Sequence, residues 1–185
     1  TANNGEEGTQ QALSRIPDIV VSDIMMPVMD GITLCKQLKD DVRTSHIPII
    51  LLTAKDSLQD KEEGYEVGAD SYLTKPFSAS LLRSRINNLL DSRKKLVAQF
   101  QAQSTPGNQI DLSEKRIVIA EALSKLDNEF IEKITLLIEE NLSSEKIDIN
   151  YLSDKMCMSG STLYRKMKAL TGLSTNEYIQ IGRAS

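Results

Sequence analysis

Three short apolar runs, each ending at a residue able to do chemistry, constrain this chain more than anything else in it. Ile19-Val20-Val21 leads to Asp23, Ile47-Pro48-Ile49-Ile50-Leu51-Leu52 stops at Thr53, and Ser71-Tyr72-Leu73-Thr74 stops at Lys75-Pro76. Each run reads as a strand, and thirty positions separate Asp23 from Thr53, about one strand-helix-strand unit. Strands joined in that way run parallel, and open α/β sheets place their chemistry at the C-terminal edge of such strands. The expected fold is an α/β doubly wound parallel sheet that gathers an Asp, a Thr and a Lys on one edge.

Those three residue types fit transfer of a phosphoryl group onto the Asp23 carboxylate to give an acyl phosphate. A carboxylate attacks phosphorus only when the incoming anion is neutralised, which the Lys75 ammonium and a divalent metal can do, with Thr53 donating a hydrogen bond. Around the three residues stand Asp23-Ile24-Met25-Met26-Pro27, Asp30-Gly31, Leu52-Thr53-Ala54, Gly64-Tyr65-Glu66-Val67-Gly68-Ala69-Asp70-Ser71-Tyr72 and Lys75-Pro76-Phe77. Through these segments, residues 1–90 resemble the receiver domain of two-component response regulators. The resemblance implies a flavodoxin-like fold, Asp23 as phospho-acceptor, Thr53 and Lys75 as phosphate contacts, and Tyr72 as an aromatic switch. It also implies Mg²⁺, with Asp23 and the backbone carbonyl of Met25 among its ligands, and a cis bond before Pro76.

A receiver also carries an acidic pair at the end of its first strand, suited to a hard cation. Before Asp23 the only acids are Glu6, Glu7 and Asp18, and residues 1–8 resemble the loop after the second strand and the start of the second helix. The expectation is an N-terminally incomplete receiver, a piece of a longer protein. In the family's strand order the run ending at Asp23 would lose its inner neighbour, leaving an edge that invites pairing with a second copy.

Composition points to a soluble protein in two parts: 185 residues, 40% hydrophobic, 26% charged, without Trp. No apolar stretch reaches the ~20 residues of a membrane span and no basic-then-apolar leader opens the chain, so a cytoplasmic location without membrane contact is expected. Cys35 and Cys157 lack metal-ligand spacing and read as free, mostly buried thiols; His46 reads as a surface loop residue. Lys155, Arg165, Lys166, Lys168 and Arg183 against Asp154 and Glu177 give residues 151–185 a net +3 in a chain of net −4, leaving −7 on residues 1–150. A basic terminal module on an acidic body suggests a nucleic-acid partner.

A helix is expected over 81–101, with Leu82, Ile86, Leu89, Leu90, Leu96 and Val97 in one stripe. Residues 91–126 read as a helical or irregular linker, broken at Gln103-Ser104-Thr105-Pro106-Gly107-Asn108 and ambiguous at Ile117-Val118-Ile119. From residue 127 to 185 the pattern is all helical. Asp127 is a candidate N-cap for a helix burying Phe130, Ile131, Ile134, Leu137, Ile138 and Leu142. A second helix covers 149–156, and a third starts at Ser159, buries Leu163, Met167 and Leu170, and stops at Gly172.

Helix, tight turn and polar-faced helix make a helix-turn-helix, whose second helix enters the major groove. Met158-Ser159-Gly160-Ser161-Thr162-Leu163-Tyr164-Arg165-Lys166, with Leu170-Thr171-Gly172-Leu173-Ser174 and Tyr178-Ile179, resembles the first of the two such units in arabinose-regulator-type transcription factors. The resemblance implies that Ser161, Thr162 and Arg165 face bases and that Lys168 meets phosphate. Receiver, linker and this reader, in that order, resemble the C-terminal end of hybrid two-component regulators, with a sensor histidine kinase in cis or in trans and DNA as partners. Two other readings remain open: a receiver serving as an interaction module without phosphorylation, and a haloacid-dehalogenase-type phosphatase. The phosphatase needs a second Asp two positions after its nucleophile, where this chain has Met25.

Overall fold

Parallel pairing is what the three apolar runs adopt. The computed structural model describes residues 1–54, 67–102, 123–141 and 147–184, which divide into two units, Thr1–Ser92 and Arg93–Ser185. In chain order the first unit contains α1 (Gly5–Arg15), β1 (Val20–Asp23), α2 (Gly31–Asp40), β2 (Ile49–Thr53), β3 (Ser71–Thr74) and the start of α3 (Ala79–Ala102). The sheet order is β1-β2-β3 with both pairs parallel, Val20 opposite Ile49 and Ile50 opposite Ser71.

The central strand is the most apolar because helices or neighbours cover both its faces. Ile49, Ile50 and Leu51 are fully buried. On one face Val20, Ile49, Leu51 and Tyr72 pack with Ala12 of α1 and Leu34, Cys35 and Leu38 of α2. Val21, which points to the opposite face, is exposed. Among the described residues β1 pairs with β2 alone. In the α3 stripe Leu82, Ile86, Leu89, Leu90 and Val97 are half-buried.

At the end of the sheet away from Asp23, Lys39 and Asp70 clasp α2 to the strands. Lys39 Nζ donates to Asp70 Oδ2 at 2.8 Å and to the Ile47 carbonyl at 3.0 Å, and Asp70 Oδ2 also accepts from the Ile49 N–H at 2.8 Å. Some expectations are corrected in this unit and the next. His46 is buried, because the turn 41–47 folds onto the sheet with Thr44 Oγ1 donating to the Leu38 carbonyl at 2.8 Å. Of the two free thiols only Cys35 is buried, and burial pushes its pKa up to about 11; Cys157 is exposed.

The second unit, among the described residues, is helical: the remainder of α3, then α4 (Lys125–Glu139), α5 (Ile149–Lys155), α6 (Gly160–Thr171) and α7 (Thr175–Ala184). Phe130, Ile131, Ile134 and Ile138 form the buried face of α4, with Leu137 half-buried. The cap of α4 is Ser124 rather than Asp127, since the Ser124 side chain accepts from the Asp127 N–H at 3.2 Å. Asp127 stands at the third helical position and turns inward. There it meets Lys166 of α6, whose Nζ donates to Asp127 Oδ1 at 2.6 Å and lies 4.8 Å from the centre of the Phe130 ring. Lys166, counted in the charge of the basic terminal module, is therefore an interior residue. Across the same interior Thr135 Oγ1 and Tyr178 Oη are 3.0 Å apart and tie α4 to α7.

Between α5 and α6 the chain turns through Met156 to Ser159. Cys157 takes a left-handed conformation, φ 53°; its N–H donates to the Asp154 carbonyl at 3.2 Å, and the Met158 N–H donates to the Ser153 carbonyl at 3.1 Å. This is the Schellman closure of a helix C-terminus, made with a Cys where Gly is usual. Gly172 closes α6 at φ 72°. The expected break at 103–108, the segment 117–119, the motif residues Gly64, Tyr65 and Glu66, and Leu142 lie outside the described residues. Among the described residues no helix is long and apolar enough to cross a membrane.

A buried charge left alone costs far more than a buried pair replaced whole. Lys166→Met alone should destabilise the second unit by about 3–5 kcal/mol, and Asp127→Leu combined with Lys166→Met should recover most of that loss. Denaturant unfolding followed by helical circular dichroism measures both; equal losses in the single and double variants would show that the pair is not the cause.

Candidate functional site

Because the strands are parallel and nearly in step, their C-terminal ends meet. Asp23 is the last residue of β1, Thr53 the last of β2, and Lys75 follows the last residue of β3. The ladder continues past the strands: the Ile24 N–H donates to the Leu52 carbonyl at 2.9 Å, and the Lys75 N–H to the Thr53 carbonyl at 2.8 Å. Side chains follow the backbone, and the Lys75 ammonium pairs directly with Asp23 Oδ2. Both partners are open to solvent, Asp23 at 36% and Lys75 at 45% exposure. Thr53 is buried beside them, its hydroxyl donating to the Ala54 carbonyl at 3.2 Å. Tyr72 is half-buried with its hydroxyl oxygen inside, packed on the core. The Lys75-Pro76 bond is cis, as expected.

The loop after Asp23 is held from two sides. Val28 has φ 67° at the centre of a three-residue turn closed by the Met29 N–H donating to the Pro27 carbonyl at 2.7 Å. A β-branched residue in that region carries strain on the order of 1–3 kcal/mol. Met29 then anchors the loop to α1, its carbonyl accepting from the Gly5 N–H at 3.0 Å. Asp30 is spent as the cap of α2, accepting from the Thr33 N–H at 2.7 Å. At Gly31 a Cβ would stand 2.1 Å from the Asp23 carbonyl oxygen and 2.9 Å from its carbon. Only glycine lets α2 start that close to the acceptor strand.

The donor set does not fit a Mg²⁺ site as it stands. A hard cation asks for oxygen ligands in near-octahedral order, and among the described residues the strand ends bring the Asp23 carboxylate to this edge. Asp30 is committed to its cap, and among the described residues no group of three His, Cys, Asp or Glu side chains could hold a metal.

On α6, Ser161, Arg165 and Lys168 are exposed and Thr162 is half-buried. The helix is set by its cap, Ser159, whose side chain accepts from the Thr162 N–H at 3.1 Å. Gly160 is not demanded by packing, since a Cβ there would make ordinary contact with Ser153 Oγ at 3.6 Å. Of the residues that sequence reasoning missed, Lys166 has no local signal, and Tyr164, exposed on the same helix, is marked only by its spacing.

Residues 1–87 match the family described as the response regulator receiver domain. "Histidine kinase P4" of Formosa agariphila is 37% identical over 180 residues, 97% of this chain and 12% of that protein. "Alkaline phosphatase synthesis transcriptional regulatory protein PhoP" of Bacillus subtilis is 46% identical over 90 residues, 49% of this chain and 37% of that protein. "Probable transcriptional regulator ycf29" of Pyropia yezoensis is 31% identical over 181 residues, 95% of this chain and 80% of that protein. The chain thus spans 12% and 37% of the length of the first two.

Gly31→Ala should cost about 1–3 kcal/mol, because the added methyl meets backbone that cannot yield. Gly8→Ala is the control: its Cβ would press on the terminal methyl of Leu34, at 2.8 Å, and touch Ala2 Cβ at 3.8 Å, and an Ala in a helix regains up to about 1 kcal/mol. Urea unfolding of the two variants measures the difference, and equal behaviour would mean that the close approach does not hold Asp23 in place.

Proposed function

Since the chain belongs to the response regulators through its receiver domain, we propose that it is a phosphorylation-controlled transcription regulator in which Asp23 accepts a phosphoryl group and the second unit binds DNA. The observation that carries the first half is the Lys75 ammonium seated on the Asp23 carboxylate at the ends of adjacent strands. An Asp23 oxygen attacks phosphorus, the bond from phosphorus to the donor's nitrogen or oxygen breaks, and the electron pair leaves with the donor. Lys75 neutralises the arriving charge. The Thr53 hydroxyl turns from the Ala54 carbonyl to a phosphoryl oxygen, and the half-buried Tyr72 ring, on the strand that leads into Lys75, follows. A sensor histidine kinase, in cis or in trans, is the donor. Met25 stands where a phosphatase of the haloacid-dehalogenase type needs its acid, and a thioether has no proton to give.

The second half rests on α5, its Schellman turn and α6, whose exposed face carries Arg165 and Lys168. With the sequence resemblance, this supports an arabinose-regulator-type helix-turn-helix. The alignment with a protein named histidine kinase runs through both units, which supports a hybrid two-component regulator as the parent.

A second reading, an interaction module that is never phosphorylated, fits the same residues, since among the described residues no group of three His, Cys, Asp or Glu side chains could hold a metal. Treatment of the intact parent protein, in Mg²⁺, with a phosphorylated histidine kinase or a small acyl phosphate separates the two. The proposal expects hydroxylamine-sensitive label in the wild type and none in Asp23→Asn. Label that survives the substitution overturns the acceptor assignment, and no label in either, with partner binding intact, supports the module.

Arg165 reads a base and Lys168 holds the phosphate backbone. On duplexes that the protein enriches from a random pool, Arg165→Ala should cost about 1–3 kcal/mol, with little change on unrelated DNA. Lys168→Ala should weaken both equally and lower the salt dependence by about one unit of slope. Equal losses for Arg165→Ala on both DNAs would assign Arg165 to phosphate.

A further inference from the structure

The exposed face of α6 carries one more side chain than the resemblance assigns. Ser161, Tyr164, Arg165 and Lys168 are spaced i, i+3, i+4 and i+7 on this helix, so they form one stripe along it. Thr162 is off that stripe and half-buried. The hydroxyls of Ser161 and Thr162 both lie against the cap, 3.0 Å and 2.9 Å from Ser159 Oγ. A base edge must compete with the cap for either of them. Lys166, the remaining cation of the helix, is fully buried. Tyr164 instead sits mid-stripe beside Arg165, one turn from Lys168, with 44% of its surface exposed. A lone exposed Tyr is common on protein surfaces; one flanked by two cations on the face offered to a duplex has a defined counterpart. The major groove presents one apolar group, the C5-methyl of thymine, and a rigid aromatic ring matches it by contact.

We propose that Tyr164 is a sequence-reading residue, its ring packing on a thymine methyl in the major groove. The assignment rests on the reading of the second unit as a DNA binder. Duplexes enriched by this protein from random-sequence DNA, and the same duplexes with thymines replaced singly by uracil, are the probes, titrated by fluorescence anisotropy. Loss of one contacted methyl should weaken the wild type about fourfold at one position. Tyr164→Phe should keep that preference, and Tyr164→Ala should bind the thymine and uracil duplexes alike while circular dichroism shows its helices retained. The double comparison isolates the contact between ring and methyl. A thymine preference that persists in Tyr164→Ala overturns the assignment, as does an equal loss by Tyr164→Phe on enriched and random DNA, which would put the hydroxyl on phosphate. Failure to bind or enrich any duplex sinks the DNA reading, and the assignment with it; binding without a role for Tyr164 sinks the assignment alone.

Discussion

Parallel strand direction is the constraint from which the first unit's chemistry follows. With Asp23 opposite Leu52 and Thr53 opposite Thr74, three residues far apart in sequence end within a residue of one another across the sheet. Reversing a single four-residue strand would carry its terminal side chain about 10 Å to the other end. The clasp of Lys39 on Asp70 and Ile47 acts on that opposite end, where it fixes α2 against β2 and the start of β3. One edge is thus stitched by structural contacts and the other is left open for reaction.

How much of this was legible depended on range. The strands were readable as short apolar runs and the buried side of α6 by its 3.6-residue period, and Leu163, Met167 and Leu170 are buried as that period requires. The convergence of Asp23, Thr53 and Lys75 was readable too, since strand direction follows from connection length. What failed was what only tertiary structure decides. Lys166 counts as surface charge until Asp127, 39 positions away, offers it a buried partner. Asp127 resembles a cap because caps are short and polar, yet Ser124 reaches the helix first. His46 sits among polar loop residues and is buried by a turn whose closure depends on Thr44.

Left-handed backbone was the other blind spot. Sequence reading locates it by glycine, which succeeds at Gly172 and fails at Cys157 and Val28, where φ is 53° and 67°. At both, the surrounding hydrogen bonds impose the conformation on a residue that does not favour it. One lies in the turn leading into α6, the other in the loop that follows Asp23.

Two of the Asp–Lys pairs among the described residues differ in solvent access, and that difference separates them in time. Asp127 and Lys166 are 4% and 0% exposed, whereas Asp23 and Lys75 are 36% and 45% exposed. Exposed side chains change rotamer in picoseconds to nanoseconds, while exchange inside a packed core waits for local opening, which takes microseconds or longer. An open ion pair also contributes at most about 1 kcal/mol. Lys75 can therefore leave Asp23 and return many times during a single encounter with another protein, while Lys166 keeps its partner for as long as the unit stays folded.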